Sequence, residues 1–310
     1  MTALTAVAAY LPETSLSVED VAGVLGLDEV ARRRYRRFLG LDRVRWDPGA
    51  RQVDLLLSAA DRLTALRGNE HRVRYVLHAR TIEPTGPYSA NPLHEAVRKL
   101  GLGHATAFAV SQHACASGLL AVRLAGRLLA ADGDRDGLAL VLTGEKTYPH
   151  VARFMPPSTI MGEAAAACLV GAHGDRDVLV AAATRTYGEY HQVATHGGDL
   201  TLEFERRYPA ALRELILECC ARGGLDLDDV RLILPHNVNR ISWTRLCQLL
   251  GLGLDRVLLD NIAVTGHSFC ADPFVNHELA VRQGRLAPGD HYLMVSVGLG
   301  AVFSALLLRH

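Results

Sequence analysis

At 310 residues and 33.6 kDa the chain is long enough for one large domain or two ordinary ones, with ample apolar material for a core. Its 49% apolar and 21% charged residues exclude wholesale disorder, collagen and coiled coil. Thirty-three basic residues balance thirty-three acidic ones, which disfavours a nucleic-acid binder, and Lys99 and Lys146 are the only lysines.

The opening MTALTAVAAYLPE lacks a cationic n-region, and its apolar stretch is too short for a signal peptide. Helical pattern covers about 18–38 and 53–67, followed by a strand at 73–79, a helix at 92–100 and a strand at 106–110. Residues 116–131 read as an Ala/Leu-rich helix ended by Asp132-Gly133, and 138–143 and 165–170 as buried strands. The longest segment without Asp, Glu, Lys or Arg, 100–122, is interrupted by His104, Ser111, Gln112 and His113. It therefore reads as a buried strand and helix and not as a membrane span.

The pattern then restarts. A strand at 178–184 precedes a long helix at 202–222, a strand at 230–234, a helix at 243–250 and a short strand at 257–259. Residues 277–283 are helical, and 292–297 and 302–308 form a terminal strand pair. Alternating strands and helices predict an α/β fold, with two closely packed halves divided within GAHGDRD, at 1–174 and 175–310. The six cysteines show no CxxC or zinc-ribbon spacing, which predicts free thiols in a reducing, cytoplasmic setting.

Four segments carry candidate chemistry. In AFAVSQHACASGLLAV, Cys115 follows an apolar strand and opens an apolar helix, among small residues that admit a substrate. A helix N-terminus there stabilises a thiolate and offers N–H groups to an oxyanion. A lone buried cysteine is otherwise a small hydrophobe. In LILPHNVNR, Pro235 stops a strand and presents His236 at its C-terminal end, where α/β proteins place ligands. In DNIAVTGHSFCADP, Gly266 permits a tight turn that puts His267 at the start of a helical stretch. Among fourteen histidines a structural role is the bland alternative for either. In SVGLGAVFS, Gly298 and Gly300 permit close backbone approach, or form an ordinary turn. The run Arg32-Arg33-Arg34-Tyr35-Arg36-Arg37 is either a solvated helix face or a landing site for phosphates or an acidic carrier, with Arg33, Arg36 and Arg37 as candidates.

Taken together, ACASG, PHNVNR, TGHS and the GLGAVFSALLL tail resemble the thiolase-superfamily condensing enzymes, most closely the β-ketoacyl-ACP synthase III group and its secondary-metabolism relatives. The resemblance implies a five-layer αβαβα fold of two duplicated βαβαβαββ halves, a homodimer, and no nucleic-acid or membrane partner. It implies no cofactor or metal beyond acyl-CoA or acyl-ACP as substrate. By the same resemblance Cys115 is the acylated nucleophile and His236 a catalytic histidine. The Gly300 N–H joins that of Cys115 in the oxyanion hole, and Asn239 supports the site. His267 stands where synthase III enzymes carry Asn, in a TGHS stretch like that of the elongating Cys–His–His synthases. Asp272 enters a region normally apolar, as a helix cap or an acceptor-binding group. The Trp and Arg that hold the coenzyme A adenine in the family are not matched at 34–38, which favours an acyl carrier protein as donor. The expected reaction is a decarboxylative Claisen condensation with a malonyl thioester. The alternative is acyl transfer to an alcohol or amine. A cysteine hydrolase, a non-catalytic chain-length factor and a zinc site of His113, Cys115, His267 and Cys270 are the competing classes.

Overall fold

Sequence periodicity assigns no element to residues 3–10, yet Ala3–Tyr10 forms strand β1, because its small side chains lie against a second alanine-rich strand. Ala8 and Ala9 face Ala167 and Ala166 across that pair. The structure, a computed structural model, describes residues 2–82, 89–147, 154–155, 158–193 and 198–310. A small ribbon of β2 (Ser15–Ser17) and β3 (Arg43–Arg45) flanks two helices, α1 (Val18–Leu25) and α2 (Glu29–Arg37). The single helix expected over 18–38 is divided because Gly26 caps the first segment and the Asp28 carboxylate accepts from Ala31 N to start the second.

The first half continues through α3 (Gln52–Arg62), β4 (Val73–Ala79), α4 (Pro92–Lys99), β5 (Thr106–Val110), α5 (Ser117–Asp132) and β6 (Leu138–Gly144). A ribbon of β7 (Phe154–Met155) and β8 (Thr159–Ile160) precedes β9 (Ala165–Gly171). The second half runs β10 (Val178–Thr186), α6 (Gly198–Arg222), β11 (Val230–Leu234), α7 (Arg240–Leu250), α8 (Ile262–Thr265), α9 (Asp272–Arg282), β12 (His291–Gly298) and β13 (Val302–Arg309).

Strand order exposes a repeat that the residues hide. The first half lies as β5-β4-β6-β9-β1, with β5, β4 and β6 parallel and β9 antiparallel to both β6 and β1. The second lies as β11-β12-β13-β10, with β11 and β12 parallel and β13 antiparallel to both its neighbours. The short strand expected at 257–259 is reduced to one parallel bridge, Ile233 to Val257, which occupies the place β5 fills in the first half. Counted by order in their halves, both sheets read third, second, fourth, fifth, first. The two sheets meet at a single β1–β10 pair, Ala3 with Val178, and the proposed division at 174/175 falls in the turn between β9 and β10.

Helices complete five layers. α3 covers one outer face and α6 the other, while α5 and α9 lie between the sheets, α5 touching β4, β6, β12 and β13 and α9 touching β1 and β11. Residues 114–132 are apolar and long enough to cross a membrane by composition alone. Here Leu119, Ala121, Val122, Ala125 and Leu129 are buried in the central core with Phe274, so the protein interior accounts for that apolarity. This arrangement sends the C-terminal ends of β5 and β11 and the turn after β12 toward the N-terminal end of α5.

Candidate active site

Cys115 lies in a 3-10 turn, Ala114–Ala116, that leads into α5. Ala114 has φ +46°, a left-handed conformation that costs a non-glycine residue on the order of 1 kcal/mol and sharpens the turn. The turn packs on β12 and β13, where Ser296 Oγ donates to Cys115 O at 2.9 Å.

His267 follows Gly266, whose φ is +68°; a Cβ there would fall 2.8 Å from Ile160 O. That close approach lets the segment from residue 160 clasp His267, with His267 N donating to Ile160 O and Gly162 N to His267 O. Its ring then reaches Cys115: Nε2 lies 3.2 Å from Sγ. On the far side Nδ1 lies 2.5 Å from Asp272 Oδ2. Asp272 also accepts from Ser268 N at 2.8 Å and Asn237 N at 2.6 Å, and Asn237 is fixed in turn by Asn276. Burial opposes the charged imidazole, but the Asp272 carboxylate and the Cys115 sulfur outweigh it and raise His267 to about 10.

Asp272 is thus neither a simple cap nor an acceptor-binding group. It opens α9 but is fully buried behind His267, and its hydrogen bonds all run to the chain. Cys115, His267 and Asp272 form one line from sulfur to carboxylate.

His236 comes to the same place with a different partner. Its N–H donates to Val295 O, Trp243 Nε1 donates to its carbonyl, and its ring centroid is 6.1 Å from that of His267. Nε2 is taken by the Tyr208 hydroxyl at 2.8 Å, while Nδ1 has no hydrogen-bond partner among the described residues. Burial, reinforced by the neighbouring His267 charge, pushes His236 down to about 3, so it is neutral.

The remaining candidates lie further out. Asn239 caps α7, accepting from Ser242 N at 2.8 Å, and donates to Ser158 O; it supports the loop that bears His236 without touching the sulfur. Gly300 lies in the β12–β13 turn, whose approach to the cysteine turn runs through Gly298, where a Cβ would fall 2.0 Å from His113 O. Arg33 and Arg36 pair with Glu29 and with Glu19 and Asp42, and together with Arg37 they line a surface cleft on α2. The grouping of His113, Cys115, His267 and Cys270 is drawn to other work, since both His267 nitrogens are engaged and Cys270 Sγ faces Ala114 O at 3.2 Å.

Sequence reasoning missed four residues. Tyr208 caps His236. Asn237 holds Asp272. Glu145, buried, accepts from Thr81 N and Ile82 N at 2.7 Å each, and Thr81 Oγ1 lies 3.5 Å from Cys115 Sγ. Burial lifts Glu145 to about 7. Its signal was legible: LALVLTGEK places a charged pair at the end of a wholly apolar strand.

Residues 220–310 match the family model for the C-terminal region of 3-oxoacyl-[acyl-carrier-protein] synthase III. A β-ketoacyl-[acyl-carrier-protein] synthase III of Rhizorhabdus wittichii is 28% identical over 253 residues, 76% of each chain. The chain is similar to the synthase III enzymes over about three quarters of its length. Its fold agrees with that of the Thermus thermophilus synthase III, at TM-score 0.83 and 20% identity over 99% of both chains. It agrees also with a protein named ChlB3 acyltransferase, at TM-score 0.86 and 22% identity over 99% of this chain and 97% of the other. The relatives it matches are named as synthase III enzymes.

Proposed function

We propose that the enzyme takes an acyl group from a thioester onto Cys115 and passes it to an alcohol or amine acceptor without decarboxylation. The observation that carries this reading is the line Cys115–His267–Asp272, at 3.2 and 2.5 Å. The Cys115 thiolate attacks the thioester carbonyl while the N–H groups of Cys115 and Gly300 receive the oxyanion. The carrier thiol leaves with the His267 proton. The acceptor hydroxyl or amine then gives a proton to His267 as it attacks the acyl-enzyme, and the cysteine thiolate departs. Asp272 acts through His267, orienting the ring and stabilising the imidazolium.

Decarboxylative condensation, which the sequence puts first, is the second reading. It is favoured by a second imidazole, His236, beside that of His267, with ring centroids 6.1 Å apart. It needs neutral N–H donors on the malonyl thioester carbonyl. Asp272 makes His267 a base suited to proton transfer, and Tyr208 takes up the Nε2 of His236, which removes that nitrogen from a malonyl carbonyl. The fold also carries a protein named as an acyltransferase.

The donor in this proposal is an acyl-CoA or acyl-carrier-protein thioester, with Arg33, Arg36 and Arg37 as the phosphate or carrier contact. The chemistry calls on no further cofactor, and a homodimer is the proposed assembly.

Intact-mass screening with acyl-CoA and acyl-carrier thioesters should show one acyl group on Cys115, released by an alcohol or amine with no CO2. Malonyl-thioester decarboxylation should be negligible in the wild type and rise in Tyr208→Phe, which frees His236 Nε2. Condensation product with stoichiometric CO2 from the wild type would replace this reading with the second one.

A further inference from the structure

A second cluster of ionisable side chains lies away from Cys115. Asp177, just before β10, His277 on α9 and His310 after β13 are all buried, with one potential ligand atom from each within 4.8 Å of the others. Tyr292, on the same strand as Ser296 but four residues earlier, marks the separation from the cysteine turn, roughly 13 Å along β12.

The contacts within this cluster are convergent. The Asp177 carboxylate presents one oxygen to each imidazole: Oδ1 lies 2.7 Å from His310 Nδ1 and Oδ2 lies 3.2 Å from His277 Nε2. Nε2 of His277 is held only by that ion-pair contact, and its Nδ1 has no hydrogen-bond partner among the described residues, although the residue is 4% exposed. A buried imidazole left poorly satisfied is costly unless something binds it. Tyr292 OH donates to Asp177 Oδ1 at 2.9 Å, the kind of outer contact that orients a ligating carboxylate. Asp177 has φ +52°, so its backbone is bent to aim the carboxylate inward. The cation now facing the cluster is Arg176, its side chain 56% exposed, with Nε 3.8 Å from Asp177 Oδ2 and 3.4 Å from His310 Nδ1.

We propose that Asp177, His277 and His310 form a binding site for a divalent transition metal ion, with zinc the best match. Two imidazoles and a carboxylate are a borderline donor set that suits zinc over magnesium or calcium. Metal–ligand bonds of about 2.0–2.2 Å place neighbouring tetrahedral ligands roughly 3.3–3.5 Å apart, a spacing that small rotations of these side chains reach. Arg176 stands at the mouth and can turn into water as the dication takes its place. An ion here ties the start of β10, the end of β13 and helix α9 together, and so stabilises the second half-sheet.

The test uses the full chain, stripped with chelator and dialysed against buffered Zn2+, with bound metal counted by mass spectrometry. One zinc per chain is expected in the wild type and equally in Cys115→Ala, together with a rise in melting temperature. His310→Gln and His277→Gln should each lower zinc affinity by about 100-fold or more. X-ray absorption should show nitrogen and oxygen neighbours without sulfur. No stoichiometric zinc in the wild type, undiminished binding in both histidine variants, or a sulfur shell would each overturn the proposal. Should His277→Gln fail to fold, His310→Gln and the absorption spectrum decide it.

Discussion

Asp272 shows most clearly how one carboxylate sets the chemistry of a site. It is fully buried, yet its charge is matched by the N–H groups of Ser268 and Asn237 and by His267. Asp272→Asn should cut acyl transfer about 1,000-fold or more through kcat, with KM little changed, because the ring loses its orienting acceptor. The variant also replaces one acceptor oxygen with an amide donor and should lose about 1–3 kcal/mol of stability. A pH profile separates chemistry from folding. A histidine raised to about 10 stabilises the fold fully below about pH 6.5 and loses that contribution as pH climbs toward 10. The wild type should show this alkaline decline in urea midpoint, and Asp272→Asn should lack most of it. A variant within fivefold of wild-type rate would remove His267 from the role of base. Cys115, His236 and His267 were legible from small residues around a helix start and from histidines at strand ends. The link from His267 to Asp272 was not, since five residues of sequence separation do not reveal that Nδ1 turns toward the carboxylate.

At the level of elements, the site depends on how tightly α5 meets the segment that carries His267. Gly118, the second residue of α5, has no side chain because a Cβ would fall 2.8 Å from Phe274 Cε2 and 2.9 Å from Cys270 O. The carbonyl belongs to a backbone pinned by the Asp272 network and cannot give way cheaply. Gly118→Ala should therefore destabilise the protein by about 1–3 kcal/mol, read as a lower urea midpoint. It should also slow acylation of Cys115 by about 10- to 100-fold by widening the Sγ–Nε2 gap. Gly103→Ala, which meets open space, is the control and should stay within about 0.5 kcal/mol of the wild type. If the two variants behave alike, the helix contact does not set the geometry. Helix α5 itself was plain in the sequence from its Ala/Leu-rich run, as was β6 from its apolar one. Strand β1 was not, because alanine has weak strand propensity and its place is fixed by Ala165–Ala167 far along the chain. The split of α1 from α2 lay in Gly26 and Asp28, cap residues that the helical period overran.

Across the whole molecule, buried ionisable groups set opposite limits on stability. The α/β alternation was readable in order, whereas the sheet order common to both halves needed long-range pairing that no periodicity encodes. The same pairing buries His78 in β4, where it faces Gly144 O of the neighbouring strand at 3.4 Å, and burial pushes it down to about 4. An imidazole lowered on folding is neutral in the native state and must be left unprotonated as the unfolded chain takes up a proton. Its contribution is complete above about pH 6.5 and is lost as pH falls through 4. The loss for His78 is on the order of 3 kcal/mol. His236, lowered to about 3, adds to this acid limb, Glu145, raised to about 7, loses its contribution between about pH 4.5 and 7, and His267 shapes the alkaline limb. His78→Leu isolates one contribution, because Gln52 Nε2 also donates to Gly144 O and no carbonyl is orphaned. Urea titrations at pH 7.5 and pH 4 should show the wild type losing more stability on acidification than His78→Leu, by about 2–3 kcal/mol. Equal losses in both would mean that His78 takes up its proton within the folded protein, and the acid limit would then belong to His236 and the other buried groups around the site.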